Sequence, residues 1–519
     1  MSILRTALLA LFAIFCATSA APAPAAGPTI DIVLGEQADP LEKFAAEEMA
    51  GQLKKLFDAE VRIGSAMPGG ATNIILLGTP ASHSAIKGID LGEPDIAEQV
   101  HIIKSVKLGE KTALAVVGGS PRAALWATYE LGWRYGIRYF LFGDLFPTSP
   151  PTFTVDGMNL VIRPAITQRS CNFIGGSTLG PETWGIDEFR KALGQLAKLK
   201  MTSIHLHIPA WESGVLFGGK KFAVSGDTVG RAAFRGAKTF DNPDLAASAD
   251  RAAAGIELSR CIREEAQRLH FTFEGNARQP SLSHSVSDSI LPDVSFERRP
   301  LATCAMTNRN SFAVSIGNVG DQQLMLTVVG RGAMEVHRPF PELQKEIILS
   351  VCGEGVDERV IKAFDFCDSA AKAGLHKFRT LGVPGTEMIV QFYDGPEFPE
   401  TLNEARTNYL NAMNEMYRAN TRAREGGRAF TLYYARRFEF GFEFINVLEA
   451  TWNAGIAKRK GDKETQIAEL EKAIDSVTNA CNAMAAVARS QSDRGVIAVM
   501  NEYGYRPLLK LLEEADAAQ

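Results

Sequence analysis

The sequence predicts an α/β protein in three parts: an N-terminal α/β domain, an irregular or degenerate (β/α)8 barrel-like central domain and an all-α C-terminal region. Three observations carry this. Short apolar runs alternate with amphipathic helical patterns through the first half, as parallel α/β units require. A Pro-rich break, Pro147 to Pro151, divides those units into two groups. From about residue 401 onward the apolar residues fall at helical spacing without interruption. A chain of 519 residues is also too long for one ordinary domain.

The N-terminus reads as an export signal over 1–21. Arg5 supplies the positive start, Ala7 to Cys16 the short apolar run, and the small residues after it a cleavage site behind Ala20 or Ala21. That run is shorter than the roughly 18–20 residues needed to span a bilayer, and bulky Phe15 disfavours a lipidated Cys16. The expectation is an exported protein, periplasmic or extracellular, with no membrane-spanning segment after processing. The formal net charge of −5 lacks the basic excess that phosphate binding needs, so no nucleic-acid partner is expected. Six cysteines follow the signal (Cys171, Cys261, Cys304, Cys352, Cys367 and Cys481), with no Cys-x-x-Cys pair and no His at ligand spacing, which disfavours a structural zinc.

The first domain, 28–160, opens with a strand over Ile30 to Leu34 and a helix over Leu41 to Phe57. Strands follow at Asn73 to Leu77, Gln99 to Ile103 and Thr112 to Val117. Gly118-Gly119-Ser120-Pro121 ends the last of these and opens a helix over Ala123 to Tyr135, with Ser120 as cap and Pro121 in the first turn. The Gly-Gly turn lacks the P-loop lysine and the full dinucleotide pattern, so no cofactor is expected there.

The central part, 165–400, starts strand (Ala165 to Phe173), helix (Trp184 to Lys200), strand (Ser203 to Ile208), helix (Ala253 to Leu269) and strand (Phe271 to Glu274). A Gly-rich insertion covers about 213–247. Beyond residue 276 the apolar runs Phe312 to Ile316 and Leu324 to Val329 lack convincing helices between them. Strands are then expected at Glu346 to Cys352 and Glu387 to Tyr393, around a helix from Glu358 to Ala373. Eight strands can be counted without a helix after each, hence the irregular or degenerate barrel. In the C-terminal region, 401–519, Ile467, Leu470, Ile474, Val477, Cys481, Met484 and Ala488 form one helical stripe. The aromatic stretch Phe430 to Phe444 is expected to pack against the central domain.

Three stretches carry a family resemblance. Asn73 to Pro147, ending in ALWATYELGWRYGIRYFLFGDLFP, resembles the α/β domain that precedes the barrel in bacterial β-hexosaminidases and α-glucuronidases. RSCNF with WGIDEFRKALGQLAKLKMTSIHLHIPAW resembles the first barrel unit and a half of such enzymes. YYARRFEFGFEFINVLEA with SDRGVIAVMNEYGYRPL looks like the helical C-terminus of uncharacterised secreted proteins with the same front half. The resemblance implies glycoside hydrolysis of a carbohydrate substrate, with carboxylates supplied from the later strands.

Glycoside hydrolysis uses two carboxyl groups, or one together with the sugar's own acetamido group. In a barrel these project from the carboxyl ends of strands. Glu354, flanked by Gly353 and Gly355 after the expected strand 346–352, is the candidate acid. Asp357 and Asp394 are candidate partners. The resemblance to β-hexosaminidases, which carry Asp-Glu just after glycines at a strand end, points to Asp357-Glu358, displaced by three residues. Asp357 also suits a helix cap. Candidate substrate-binding residues follow the second and third strands: His207, Trp211 as an aromatic platform, Glu212, Glu274 and Asn276. His205 and His207 share a strand face, yet without a third ligand nearby no metal is assigned. The alternatives to a hydrolase are a non-catalytic carbohydrate-binding protein on a degenerate hydrolase scaffold and a structural cell-envelope protein.

Overall fold

The structure is a computed structural model that describes residues 27–69, 73–174, 184–207, 215–217, 220–222, 260–274, 290–292, 294, 311–316, 320–374, 386, 389–390 and 395–517. The expected signal segment 1–21 and most of 213–247 and 276–310 lie outside them, as do Cys304, Trp211, Glu212, Asn276 and Asp394.

The front domain is a six-stranded sheet with its two long helices packed on one face and the short helix Ser84–Lys87 on the other. β1 (Thr29–Leu34) leads to α1 (Pro40–Phe57), β2 (Glu60–Gly64) and β3 (Asn73–Gly78). Then come β4 (His101–Leu108), β5 (Lys111–Gly118), α2 (Pro121–Arg134), the hairpin β6 (Arg138–Phe140) and β7 (Gly143–Leu145), and β8 (Asn159–Ile162). The strand order is β2-β1-β3-β5-β4-β8, with β4 antiparallel to both neighbours and the other pairings parallel. Local chemistry sets the helix starts. Asp39 accepts from Leu41 N–H while Glu42 reaches back to Asp39 N–H, a reciprocal cap with Pro40 in the first turn. Ser120 caps α2 through Ala123 N–H, again followed by proline. The Gly-Gly turn before it is filled: a Cβ on Gly118 would lie 2.0 Å from Ala124 N, and one on Gly119 2.0 Å from the Ala97 carbonyl oxygen. It is a tight strand-to-helix connection with no room for an anion.

The central part holds β9 (Gln168–Ile174), α3 (Ile186–Lys198), β10 (Ser203–His207), the short hairpin β11 (Val215–Phe217) and β12 (Lys220–Phe222), a helix whose described part is 260–268, β13 (Thr272–Glu274) and β14 (Ser311–Ile316). β13, β10, β9 and β14 form a parallel sheet in that order. The first three strands thus stand side by side in chain order, and β14 returns to the free side of β9, where the last strand of a closed barrel would sit. Among the described residues these four strands form the central sheet.

Helices follow earlier than expected. α4 (Gln323–Gly332), α5 (Phe340–Cys352) and α6 (Asp357–Gly374) precede α7 (Glu400–Arg422), α8 (Glu425–Lys460), α9 (Lys463–Ala485), α10 (Gln491–Val499), a π-helical turn (Met500–Tyr505) and α11 (Arg506–Ala517). Three expected strands are corrected. Leu324 to Val329 lies in α4, which is buried all round, so its unbroken apolar run carries no period that could separate helix from strand. Glu346 to Cys352 is the end of α5: the buried set Leu343, Ile347, Ile348 and Val351 has helical spacing, and the adjacent isoleucines had mimicked a strand. Within Glu387 to Tyr393, Ile389 and Val390 are helical.

One hydrophobic cluster runs from Ile30 in the front sheet to Ala515 in the last helix. The aromatic stretch of α8 packs against the central part, as expected, and against the front domain as well. Phe430 meets Phe140 of the front domain, with ring centroids 5.5 Å apart, and Tyr434 meets Phe364 of α6 at 4.9 Å. Polar groups join the same parts. Buried Glu130 of α2 takes Lys200, from the loop before β10, and Arg331 of α4, the latter at 2.7 Å. Burial alone would raise Glu130, but these two cations hold it well below the usual carboxylate range.

Candidate active site

Alternation along the central sheet separates two faces. Cys171, Phe173, Ile204, Phe312, Val314 and Ile316 are buried on one. They pack towards Phe189, Leu193 and Leu196 of α3 and Ile262 and Ala266 of the helix before β13, with Phe173, Trp184 and Phe189 in mutual edge contact. The other face is polar. Register pairs in a parallel sheet share a face, and the Ser170 and Ser203 hydroxyls meet there at 2.5 Å. Thr272 continues that row on β13.

Two residues further along each strand, at its carboxyl end, the next row is Glu274, His205, Asn172 and Ser315, each the Cα partner of its neighbour. Here α/β sheets hold their ligands. Asn172 and His205 are half-buried. Of the sequence candidates, the backbone places Glu274 in this row and His207 one step beyond the register partner of Phe173, at the end of β10.

The structure separates Glu354 and Asp357 from any strand end. Glu354 is exposed in the turn between α5 and α6, where Gly353 and Gly355 take φ of +90° and +74°. Its Gly-flanked setting is a helix-to-helix turn, which explains the glycines without a catalytic role. Gly353 is further fixed by a close approach: a Cβ there would lie 2.8 Å from Arg424 Nε. Asp357 is the first residue of α6, is 5% exposed and has its Oδ2 3.4 Å from Lys345 Nζ. A carboxylate at a helix N-terminus is stabilised by the orphan N–H groups, so Asp357 is a helix-start residue. Both follow a helix, not a strand.

Sequence reasoning missed what closes the carboxyl side of β9 and β14. Asp321, just past β14, is clamped by Arg437 of α8 through Nε–Oδ1 at 2.9 Å and Nη2–Oδ2 at 3.0 Å, and Nη2 also donates to the Ile290 carbonyl at 2.7 Å. Both charged side chains are essentially inaccessible. Burial alone would lower the Arg437 guanidinium, but Asp321 more than offsets this and holds it charged. Beside it Tyr433 donates to Asp493 Oδ1 at 2.8 Å, and Trp184, in the connection after β9, donates to Ser492 at 2.9 Å. Burial, then Asp493, push the Tyr433 hydroxyl well above its ordinary range, so it stays a proton donor. The C-terminal helices therefore pack against the segments that follow β9 and β14. The only advance signal was the polar spacing within the α8 aromatics, Tyr433, Tyr434 and Arg437.

A small cavity of about 20 Å³ lies at the opposite side of the sheet, lined by Tyr129, Trp133, Tyr139, Lys198 and Arg331 among others. It holds about one water and cannot admit a sugar. Among the described residues, Cys171, Cys261, Cys352, Cys367 and Cys481 form no disulfide. No described helix is long and apolar enough to cross a membrane.

A parallel α/β sheet with a polar inner face, preceded by this front domain, defines a glycoside hydrolase-like protein. Residues 26–131 match the family model for the glycosyl hydrolase family 67 N-terminus. The whole fold is similar to a family GH115 4-O-methyl-α-glucuronidase with specificity for decorated arabinogalactans, at 10% identity and a TM-score of 0.55, over 92% of this chain and 79% of that one. A GH138 enzyme targeting pectin rhamnogalacturonan II (10% identity, 95% of this chain and 100% of that one, TM-score 0.44) and CpGH84D (9%, 94% and 95%, 0.41) align more loosely. No curated protein matches the chain.

Proposed function

We propose that this chain is an exported glycoside hydrolase that cleaves a glycan at the carboxyl ends of β13, β10 and β9, with Glu274 as the catalytic acid. The observation that carries the reading is the register row: Glu274 lies beside His205 and Asn172 at the level where α/β sheets do chemistry. A general acid protonates the departing glycosidic oxygen while a second group, a carboxylate or the substrate's acetamide, stabilises the sugar carbon. Asp394 stays a proposed partner carboxylate, now without the strand expected before it, and His207, Trp211, Glu212 and Asn276 stay proposed sugar contacts. The front-domain match and the GH115 fold likeness support glucuronosyl-decorated polysaccharides as the first substrates to test. Release of glucuronic acid, followed by chromatography with the processed protein and its Glu274→Gln variant, tests the proposal. The same release by the variant would remove Glu274 from the role.

A second reading has its own support. Four strands make up the described sheet, and helices from the C-terminal region close its β9–β14 side. A sheet closed on that side by helices could bind a glycan without cleaving it. Sugar binding without turnover on any glycoside would favour it.

A further inference from the structure

We infer that Asn172 is a sugar-recognition residue, its carboxamide pairing with two adjacent hydroxyls of the pyranose held at the strand ends. The inference rests on the ligand position proposed above, but not on cleavage.

Asn172 lies inside β9, flanked by β10 and β14, so it is on a central strand. Asparagine is depleted in strands because its short amide competes with the ladder and packs poorly. Here no local bond offsets that disadvantage: the amide finds no partner among the described residues, although it is half-buried. Its accessible side leaves the amide to pair with water or with a ligand. A residue that breaks a local rule without an internal return marks a functional position.

Its surroundings fit a polyhydroxylated ring. His205 and Ser315 are its register partners, and one row deeper the Ser170 and Ser203 hydroxyls bond each other. That pair has two protons and shares one, so the other remains for a ligand or water. Barrel interiors are usually filled by Val, Ile and Leu. Here the inner face carries Ser170, Asn172, Ser203, His205 and Thr272. A carboxamide presents an acceptor and donors about as far apart as neighbouring ring hydroxyls, so Oδ1 can accept from one while Nδ2 donates to the next.

The test is binding of methyl glycosides of glucuronic acid, glucose and N-acetylglucosamine, with their 2-deoxy and 3-deoxy forms, to the full chain by ligand-observed NMR. Asn172→Ala should weaken the preferred glycoside about tenfold, as two hydrogen bonds of modest net strength predict. The deoxy compound that lacks the paired hydroxyl should bind wild type and variant alike. Asn172→Thr, a better strand former, should melt no lower than wild type while losing the same affinity, a combination that a structural role for Asn172 does not produce. Unchanged affinity in Asn172→Ala, or no binding of any glycoside to wild type, overturns the inference. Asn172-dependent binding without hydrolysis of any glycoside would uphold it and defeat the hydrolase reading. Turnover that ignores Asn172 would do the reverse.

Discussion

Asp321→Asn should be among the most destabilising single-atom changes available in this protein. The carboxylate accepts two parallel bonds from Arg437 at 2.9 and 3.0 Å, in a site where the two side chains are 0% and 1% exposed. The amide can accept from one guanidinium N–H and turns its own NH2 against the other. The larger loss is that Arg437 remains charged, buried and uncompensated. Removing one partner of a buried pair costs about 3–5 kcal/mol, whereas replacing both with apolar groups of similar volume is often near neutral. Asp321→Asn should therefore lower the urea midpoint clearly, and Asp321→Leu with Arg437→Met should recover most of the loss. The assay is urea unfolding followed by tryptophan fluorescence, with the slope checked for constancy. Equal, mild effects of the single and double variants would show that the clamp is not an isolated buried pair, and the account of the closed β9–β14 side would fail.

Gly320→Ala places a Cβ 1.7 Å from the Tyr433 hydroxyl oxygen, so it should destabilise by about 1–3 kcal/mol, the usual range for overpacking. Adding Tyr433→Phe should relieve part of this in thermal melts; no relief would contradict the contact. His101 is fully buried, and burial followed by Lys200 lowers its pKa to about 3 from 6.5. The unfolded chain then binds the extra proton, so this stability is present above pH 6.5 and is lost, at up to about 1.4 kcal/mol per unit, as pH falls from 6.5 towards 3. Unfolding midpoints of wild type and His101→Gln should converge across that window, and parallel curves would count against it. Glu354→Gln should leave turnover within about twofold, as surface changes do, because Glu354 sits in a turn between helices; a hundredfold loss would restore it as the acid.

The parts of the fold that were legible in the sequence are those with short-range causes. The start of α2 could be read because Ser-Pro states both the cap and the first helical residue. β9, α3 and β10 could be read because the period changes cleanly from two to 3.6 at Trp184 and back at Ser203. α4 was not legible because a helix buried all round loses its period, and α5 was misread because the pair Ile347-Ile348 mimics a strand. That error moved the expected acid to Glu354. Glu274 was a candidate for its place after a strand, but its neighbours could not be known before register was. Pairing across β9, β10 and β13 joins Asn172 to His205, 33 positions on, and His205 to Glu274, a further 69 on, and no local pattern encodes it. The Asp321–Arg437 clamp spans a separation of 116 residues and was out of reach for the same reason.

The most direct test of the central claim is sugar release from glucuronosyl-decorated polysaccharides and chromogenic glycosides by processed wild type and by Glu274→Gln. General acid–base catalysis contributes about a hundred- to ten-thousand-fold. The account predicts measurable turnover for wild type, a loss of that size in the variant, and sugar affinity retained within a few-fold. Wild-type turnover that survives Glu274→Gln unchanged would contradict it.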